Sequence, residues 1–169
     1  MLWLLSDERN DETLAASLAT MPTGSAFVFR HYHLNASARR KRFDELAIIA
    51  RLRDQLVVLS SDADEAIEWG ADGIYGPPTK LGRRNGLTRF ATANDAREVN
   101  LANRNGADAL FLSPVFPTRS HPGDTCLGVS LFRELAERSE IPVIALGGMT
   151  AERAREIQWP RWAAIDGLS

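Results

Sequence analysis

Short apolar runs alternate with helix-like stretches along the whole chain. The apolar runs predict eight strands, at residues 2–5, 26–30, 56–59, 73–75, 87–91, 109–112, 143–146 and 162–165. Their hydrophobicity is continuous and does not alternate with polar positions. Such runs are typical of strands that are buried on both faces of a parallel sheet.

Helical periodicity lies between most of these strands. Residues 37–53 place apolar side chains at positions 43, 46, 49, 50 and 52, which predicts one buried helix face. Asn94 is predicted to cap a helix over 95–104, and Thr150 a helix over 151–157. Gly70 and Gly106 each end a helical stretch directly before a strand, so the chain repeats an αβ unit.

Eight strands with intervening helices predict one domain over residues 1–169, a compact (β/α)8 TIM barrel, because an open sheet usually uses about five or six strands. A chain of 169 residues is short for this fold, so some loops and helices must be trimmed, and 76–86 is predicted to be a loop in place of a helix. The sequence stops after strand eight, so we expect the last helix to be missing. A second copy is expected to cover the apolar surface beside strands one and eight, giving a homo-oligomer.

Composition limits the classes of partner. A net charge of −2 argues against nucleic acid, whose binding domains usually carry a basic stripe. No apolar stretch reaches the roughly 18 residues of a membrane span, and the apolar run at the N-terminus is too short for a secretory signal. Cys126 is the single cysteine, which excludes an internal disulfide and fits a reducing compartment. We therefore expect a cytoplasmic protein with no membrane or nucleic-acid partner.

Two consecutive strand ends carry groups suited to an anion. The sixth strand runs into a proline-rich loop with three donors, Thr118, Ser120 and His121. The seventh ends in Gly147-Gly148, where the backbone can come close to a ligand. Barrels commonly bind phosphate at the loops after strands seven and eight, so the pattern predicts a phosphate site there. The alternative is that the glycines only form a tight turn between strand and helix.

These segments resemble those of a known family. Ser113-Pro-Val-Phe-Pro-Thr-Arg-Ser-His121 resembles the Gly-Pro-Val-Phe-Pro-Thr-x-Thr-Lys motif of the thiamine-phosphate synthase and TenI family. Pro142-Val-Ile-Ala-Leu-Gly-Gly-Met149 resembles its Pro-Val-Val-Ala-Ile-Gly-Gly-Ile strand. Two further segments, Leu2–Asp7 at the start of the chain and Ala71–Tyr75 at the fourth strand, are also similar to segments of the family. The resemblance spans nearly the whole chain and implies a TIM barrel.

The resemblance implies a ligand and the residues that hold it. Synthases of the family join a pyrimidine pyrophosphate to a thiazole phosphate, use Mg²⁺ and release pyrophosphate. The implied contacts to the thiazole phosphate are Thr118, Ser120, Gly147, Gly148 and Gly167. His121 replaces the lysine that approaches the pyrophosphate, and Arg30 is the one residue retained from the strand-two Gln-x-Arg-x-Lys pattern.

Other positions depart from the pattern of the family. Its Asn-Asp pair after strand three falls on Ser60-Ser61, and its second metal carboxylate falls near Lys80. The strand-five Ser-x-His, which TenI-type thiazole tautomerases also use, is aligned with Ala91-Thr92-Ala93. Because Mg²⁺ prefers carboxylate and phosphate oxygens, we expect no metal site, and Mg²⁺ is implied as a cofactor by resemblance alone.

Histidines supply the candidates for acid–base catalysis. His31, Tyr32 and His33 follow strand two on the predicted active face, and strand alternation would send both histidines the same way. His31 and His121 are the candidate catalytic residues, because imidazole titrates near neutral pH. The alternative is that the residues after strand two are polar loop residues or a ring packed over the barrel mouth.

Two classes of function remain open. The first is an enzyme of thiamine biosynthesis, either a synthase that releases pyrophosphate or a TenI-like thiazole tautomerase. The second is a non-catalytic or regulatory barrel that binds a phosphorylated thiazole or a thiamine-like molecule. The replacement of both metal carboxylates argues against the metal-dependent mechanism and so favours the second class. The family resemblance favours the first class.

Overall fold

The eight apolar runs form eight parallel strands that pair in chain order and close into a barrel in the computed structural model. The structure describes residues 1–82, 86–118 and 125–166. The strands are β1 Leu2–Leu5, β2 Ala26–Phe29, β3 Leu56–Leu59, β4 Gly73–Gly76, β5 Thr88–Ala93, β6 Ala109–Leu112, β7 Val143–Ala145 and β8 Trp162–Ala164. Because β8 pairs with both β7 and β1, the sheet has no free edge, and the predicted barrel is confirmed.

Helices follow most of the strands, and four of them begin at a polar residue whose side chain caps the first turn. They are α1 Asp11–Thr20, α2 Ala36–Arg51, α3 Ala63–Glu68, α4 Ala96–Arg104, α5 Gly128–Glu137 and α6 Ala151–Glu156, with a 3₁₀ turn at Glu8–Asn10. The side chains of Asn35, Asp62, Asp95 and Thr150 each accept a hydrogen bond from a backbone N–H in the first turn. The cap predicted at Thr150 is confirmed. The one predicted at Asn94 is wrong by a residue, because Asp95 accepts from the Glu98 N–H.

The connection between β4 and β5 contains no helix in its described part, residues 77–82 and 86–87, as the sequence predicts. Strand β5 runs to Ala93, two residues further than predicted. Its extra length carries polar residues toward the mouth of the barrel, and this changes the composition of the site described below.

Aromatic side chains fill the barrel interior. Trp3 meets Phe90 and Phe111 edge to face, with ring centroids 4.8 and 5.1 Å apart, and Tyr75 packs on Phe111 at 5.0 Å. All four side chains are buried. Edge-to-face contacts of this kind add to the stabilisation that comes from burying the rings. A packed interior leaves room for a ligand only at the carboxyl ends of the strands.

The outer layer packs the helices against the strand faces that point away from the barrel axis. Phe43 of α2 contacts both Phe29 and Trp69, with ring centroids 5.5 and 5.2 Å away. Outside β8, Trp162 is half-buried beside a groove of about 580 Å³, whose lining residues are Ala151, Ala154, Arg155, Gln158, Trp159, Pro160 and Trp162. Within the described ranges, no helix has the length and apolar character needed to cross a membrane.

Candidate functional site

A cavity of about 830 Å³ opens at the carboxyl ends of the strands. It lies above the packed aromatic interior, at the face where barrels place their ligands. Four residues predicted from the sequence line it together, namely Arg30, Thr118, Gly147 and Gly148. The remaining predicted phosphate residues, Ser120, His121 and Gly167, lie outside the described residues.

The Gly147-Gly148 turn lies directly under the β6 loop. Both glycines have positive φ, 95° and 62°. A Cβ on Gly147 would lie 2.6 Å from the Cα of Pro114, and one on Gly148 would lie 2.5 Å from the carbonyl oxygen of Pro117. Both positions therefore require glycine for conformation and for space. The turn therefore packs the Gly-Gly motif after β7 directly against the proline-rich loop after β6.

Arg153 is a cation of the cavity wall that the sequence analysis missed. It lies in the first turn of α6, and its guanidinium donates to the Gly148 carbonyl and stacks 4.7 Å from the Phe116 ring centroid. Thr150, which also lines the cavity, caps the same helix by accepting from the Arg153 N–H at 3.3 Å. The signal available in the sequence was an arginine three residues after the capping threonine.

Four charged residues form a row of alternating sign across the ends of β8, β1 and β2. The charged row consists of Asp166, Arg9, Asp7 and Arg30. Arg9 bonds Asp7 at 2.7 Å and Asp166 at 3.3 Å, and Arg30 bonds the other oxygen of Asp7 at 2.8 Å. Burial tends to raise the pKa of Asp7, but hydrogen bonding from Arg9 and the charges of Arg9 and Arg30 hold it below its usual value. Asp7 therefore stays ionised at neutral pH. The two ends of the row, Arg30 and Asp166, line the cavity.

His31 is buried beside Arg30 of the charged row and does not belong to the described cavity lining. Its ring stacks on Phe29 at 4.8 Å, Nδ1 lies 2.8 Å from Ser6 Oγ, and Nε2 lies 2.8 Å from a carboxylate oxygen of Asp11. Burial lowers the pKa of the imidazole and outweighs the opposing effect of Asp11, so the ring is neutral near pH 7.

The neutral ring fixes the direction of each hydrogen bond around it. A carboxylate can only accept, so Nε2–H donates to Asp11 and Nδ1 accepts from the Ser6 hydroxyl. The same hydroxyl oxygen accepts from the Arg30 N–H at 2.7 Å, and Arg30 Nε donates to the Ser6 carbonyl at 2.8 Å. His31 thus joins the β1 and β2 ends that carry Arg30. This geometry gives no support to its predicted acid–base role, because both ring nitrogens are bonded to protein groups and the ring does not line the cavity.

The residues at the metal positions of the family pattern do not fit Mg²⁺. The Ser60 hydroxyl pairs with that of Tyr32 and donates to the Tyr75 carbonyl at 3.2 Å. The Ser61 hydroxyl bonds Glu65, and Lys80 is exposed. In the described part of the chain, no group of three or more histidine, cysteine or acidic side chains is arranged to hold a metal ion. Neutral hydroxyls that already have protein partners offer a hard cation little charge.

The strand-five positions aligned with the Ser-x-His pattern, Ala91-Thr92-Ala93, carry no side chain that titrates near neutral pH. Ala91 and Ala93 are buried against α4, packed with Val99 and other helix residues, whereas Thr92 lines the cavity. Side chains alternate along a strand, so the next residue on the cavity side is Asn94, which also lines it. The cavity-facing side chains at this strand end are therefore a hydroxyl and an amide, and neither exchanges a proton near neutral pH.

Comparisons with known proteins agree with this architecture. The family model described as "Thiamine monophosphate synthase" matches residues 2–165. The chain belongs to this family. Among curated relatives, it is 31% identical over 118 residues to the putative thiamine-phosphate synthase 2 of Aquifex aeolicus, covering 66% of this chain and 63% of that protein. It is 34% identical over 121 residues to the thiamine-phosphate synthase of Methanocella arvoryzae, covering 66% of this chain and 55% of that one.

Among solved structures, the thiamine phosphate pyrophosphorylase of Pyrococcus furiosus superposes with a TM-score of 0.80. It is 25% identical and the match covers 97% of this chain and 84% of that chain. The chain thus shares the family fold almost completely, yet its alignments span less than two thirds of the two curated relatives.

Gly147→Ala tests the contact between the β6 loop and the β7 turn. We expect a loss of about 2–5 kcal/mol in the free energy of unfolding, because the substitution adds left-handed strain to a clash with Pro114. Gly24→Ala is the matched control, because Gly24 has a φ of 77° but nothing within 4 Å of the added Cβ. Urea unfolding of both variants gives the difference, and equal losses would contradict the contact.

His31→Gln tests the buried imidazole through the pH dependence of stability. The unfolded histidine takes up a proton at about pH 6.5, whereas the pKa of folded His31 is lower, so protons favour the unfolded chain. We expect the free energy of unfolding to fall as the pH decreases below about 6.5, and this fall to be reduced in His31→Gln. Identical profiles for His31→Gln and wild type would contradict a lowered pKa.

Proposed function

We propose that the chain is a protein of thiamine biosynthesis that binds a phosphorylated azole, thiazole phosphate or thiamine phosphate, in the cavity without a magnesium-dependent step. One observation carries the proposal. The phosphate half of the family pattern, Thr118 with Gly147 and Gly148, lines the cavity, whereas the metal half has become hydroxyls bonded within the protein.

The cavity wall offers matching groups to such a ligand. The Thr118 hydroxyl, the backbone around Gly148 and the Arg153 guanidinium supply donors for phosphate oxygens. Apolar side chains of Leu146, Met149 and Ile165 line the same cavity and suit the faces of an azole ring. A volume of about 830 Å³ lies within the range of small-molecule sites.

Catalysis in the manner of the synthases is the second candidate, and family membership favours it. Departure of pyrophosphate develops charge that metal ions or fixed cations must stabilise. In the strand-two and strand-three region, Arg30 faces the cavity, but Ser60 and Ser61 carry no charge. A tautomerase needs a group that exchanges protons. Asn94 does not, and burial raises the pKa of Tyr75 to about 12, which keeps its hydroxyl protonated.

Calorimetry and a thermal-shift assay test the binding proposal. We expect thiamine phosphate or thiazole phosphate to raise the melting temperature without Mg²⁺, and Mg²⁺ alone to leave it unchanged. Thr118→Ala should weaken binding about tenfold by removing one hydrogen bond to a charged group. The exposed Thr23→Ala is the matched control. Absence of binding by both ligands would overturn the proposal, and release of pyrophosphate from both synthase substrates with Mg²⁺ would favour the second candidate.

We further propose that the protein is cytoplasmic and forms a homo-oligomer. The groove outside β8 supports self-association, because Trp159, Pro160 and Trp162 give it an apolar lining. We expect size-exclusion chromatography with light scattering to give a mass of two or more chains, and Trp162→Glu to shift it toward one. A monomeric wild type at micromolar concentration would contradict the oligomer.

A further inference from the structure

A carboxylate lies in the wall of the proposed phosphate cavity. Asp166 follows β8, and it is the one acidic residue among the described cavity-lining residues. It shares that lining with Gly147, Gly148 and Thr118, the groups assigned to the phosphate. Like charges repel, so an acidic side chain in this position disfavours a ligand whose only charge is its phosphate.

The ion pair with Arg9 holds the Asp166 carboxylate in this position. Its side chain is 38% exposed, and Arg9 contacts it at 3.3 Å while making a shorter bond of 2.7 Å to Asp7. Arg9 therefore contacts two carboxylates, and Arg30 bonds the second of them, Asp7. The two ends of the row present opposite charges to the cavity, a cation at Arg30 and an anion at Asp166.

We propose that Asp166 is a specificity-determining residue that selects a cationic azolium phosphate, such as thiamine phosphate, over a neutral azole phosphate. The proposal rests on the proposed function. An azolium ring carries a permanent positive charge beside its phosphate tail. When the tail is bound by Thr118 and the Gly148 turn, the ring lies within the same cavity as Asp166, and attraction of the carboxylate to the ring outweighs its repulsion of the phosphate. A neutral thiazole phosphate gains no such attraction from Asp166.

Isothermal titration calorimetry of Asp166→Asn tests the selection, because the amide keeps the shape of the carboxylate and removes its charge. The probes are thiamine phosphate, thiazole phosphate and inorganic phosphate. We expect the variant to bind thiamine phosphate about tenfold more weakly and the two other probes more tightly. Asp44→Asn, an equal charge change on an exposed residue of α2 that pairs with Arg40, is the control and should leave all three affinities unchanged.

Arg9→Gln is a second test, in which the preference between the two ligands is expected to change in the opposite direction. Removing this guanidinium leaves Asp166 more negative toward the cavity, so the preference for thiamine phosphate over thiazole phosphate should increase. Far-ultraviolet circular dichroism verifies that each variant is folded, and if Asp166→Asn unfolds, the Arg9→Gln arm decides the question.

The outcomes separate this proposal from the proposed function. If wild type binds both azole phosphates but Asp166→Asn changes their affinities in the same direction, or leaves their ratio unchanged, the selection by Asp166 is overturned while the binding site stands. If wild type binds neither ligand, both proposals fall. A preference that reverses sign between the two variants supports the selection.

Discussion

The site depends on the close approach of the β6 loop to the β7 turn. Val115 N–H donates to the Leu146 carbonyl at 2.9 Å and Phe116 N–H to the Gly147 carbonyl at 3.0 Å, so the loop continues the β6–β7 pairing beyond the strands. This contact requires glycine at 147 and 148, since a Cβ at either position would overlap the loop backbone. The close contact places Thr118 in the cavity wall. Arg153 of α6 also binds the Gly148 carbonyl, so the β6 loop, the β7 turn and α6 together form this wall of the cavity.

The part of the cavity wall at the ends of β8, β1 and β2 is held together by polar side-chain contacts rather than by close approach of the backbone. His31, buried and neutral, joins the β1 and β2 ends through Ser6, and the charged row continues these links at the surface to β8. Each of these buried polar atoms has a partner, and leaving one unpaired would cost about 1–3 kcal/mol. The position of Arg30 therefore depends on side chains, whereas the position of the Gly148 turn depends on backbone fit.

Sequence patterns predicted the barrel well because its determinants are local. Each strand buried on both faces appears as a continuous apolar run, and the Gly147-Gly148 motif marks a close backbone contact whatever its ligand. The side chains of β5 that face the cavity could not be read from the sequence, because a continuous apolar run does not reveal which alternate residues face the barrel axis. The structure places Thr92 in the cavity and Ala93 against α4. The burial of His31 was also missed, since its partners Ser6 and Asp11 are 25 and 20 residues away in sequence.

The distribution of retained and lost groups follows the architecture of the barrel. Phosphate-side residues lie after β6 and β7, and they are fixed by a contact that also supports the fold. The metal-side positions lie after β3 and β4, where Ser60, Ser61 and Lys80 make no contact comparable to the Gly147 turn. A hydroxyl can replace a carboxylate there with little loss of stability, because removing an ion's charge also removes its need for compensation. The fold therefore constrains the phosphate side, while the metal side can change without disturbing the barrel. Under the proposed function, this difference lets the metal positions change while the glycine turn keeps the shape of the cavity.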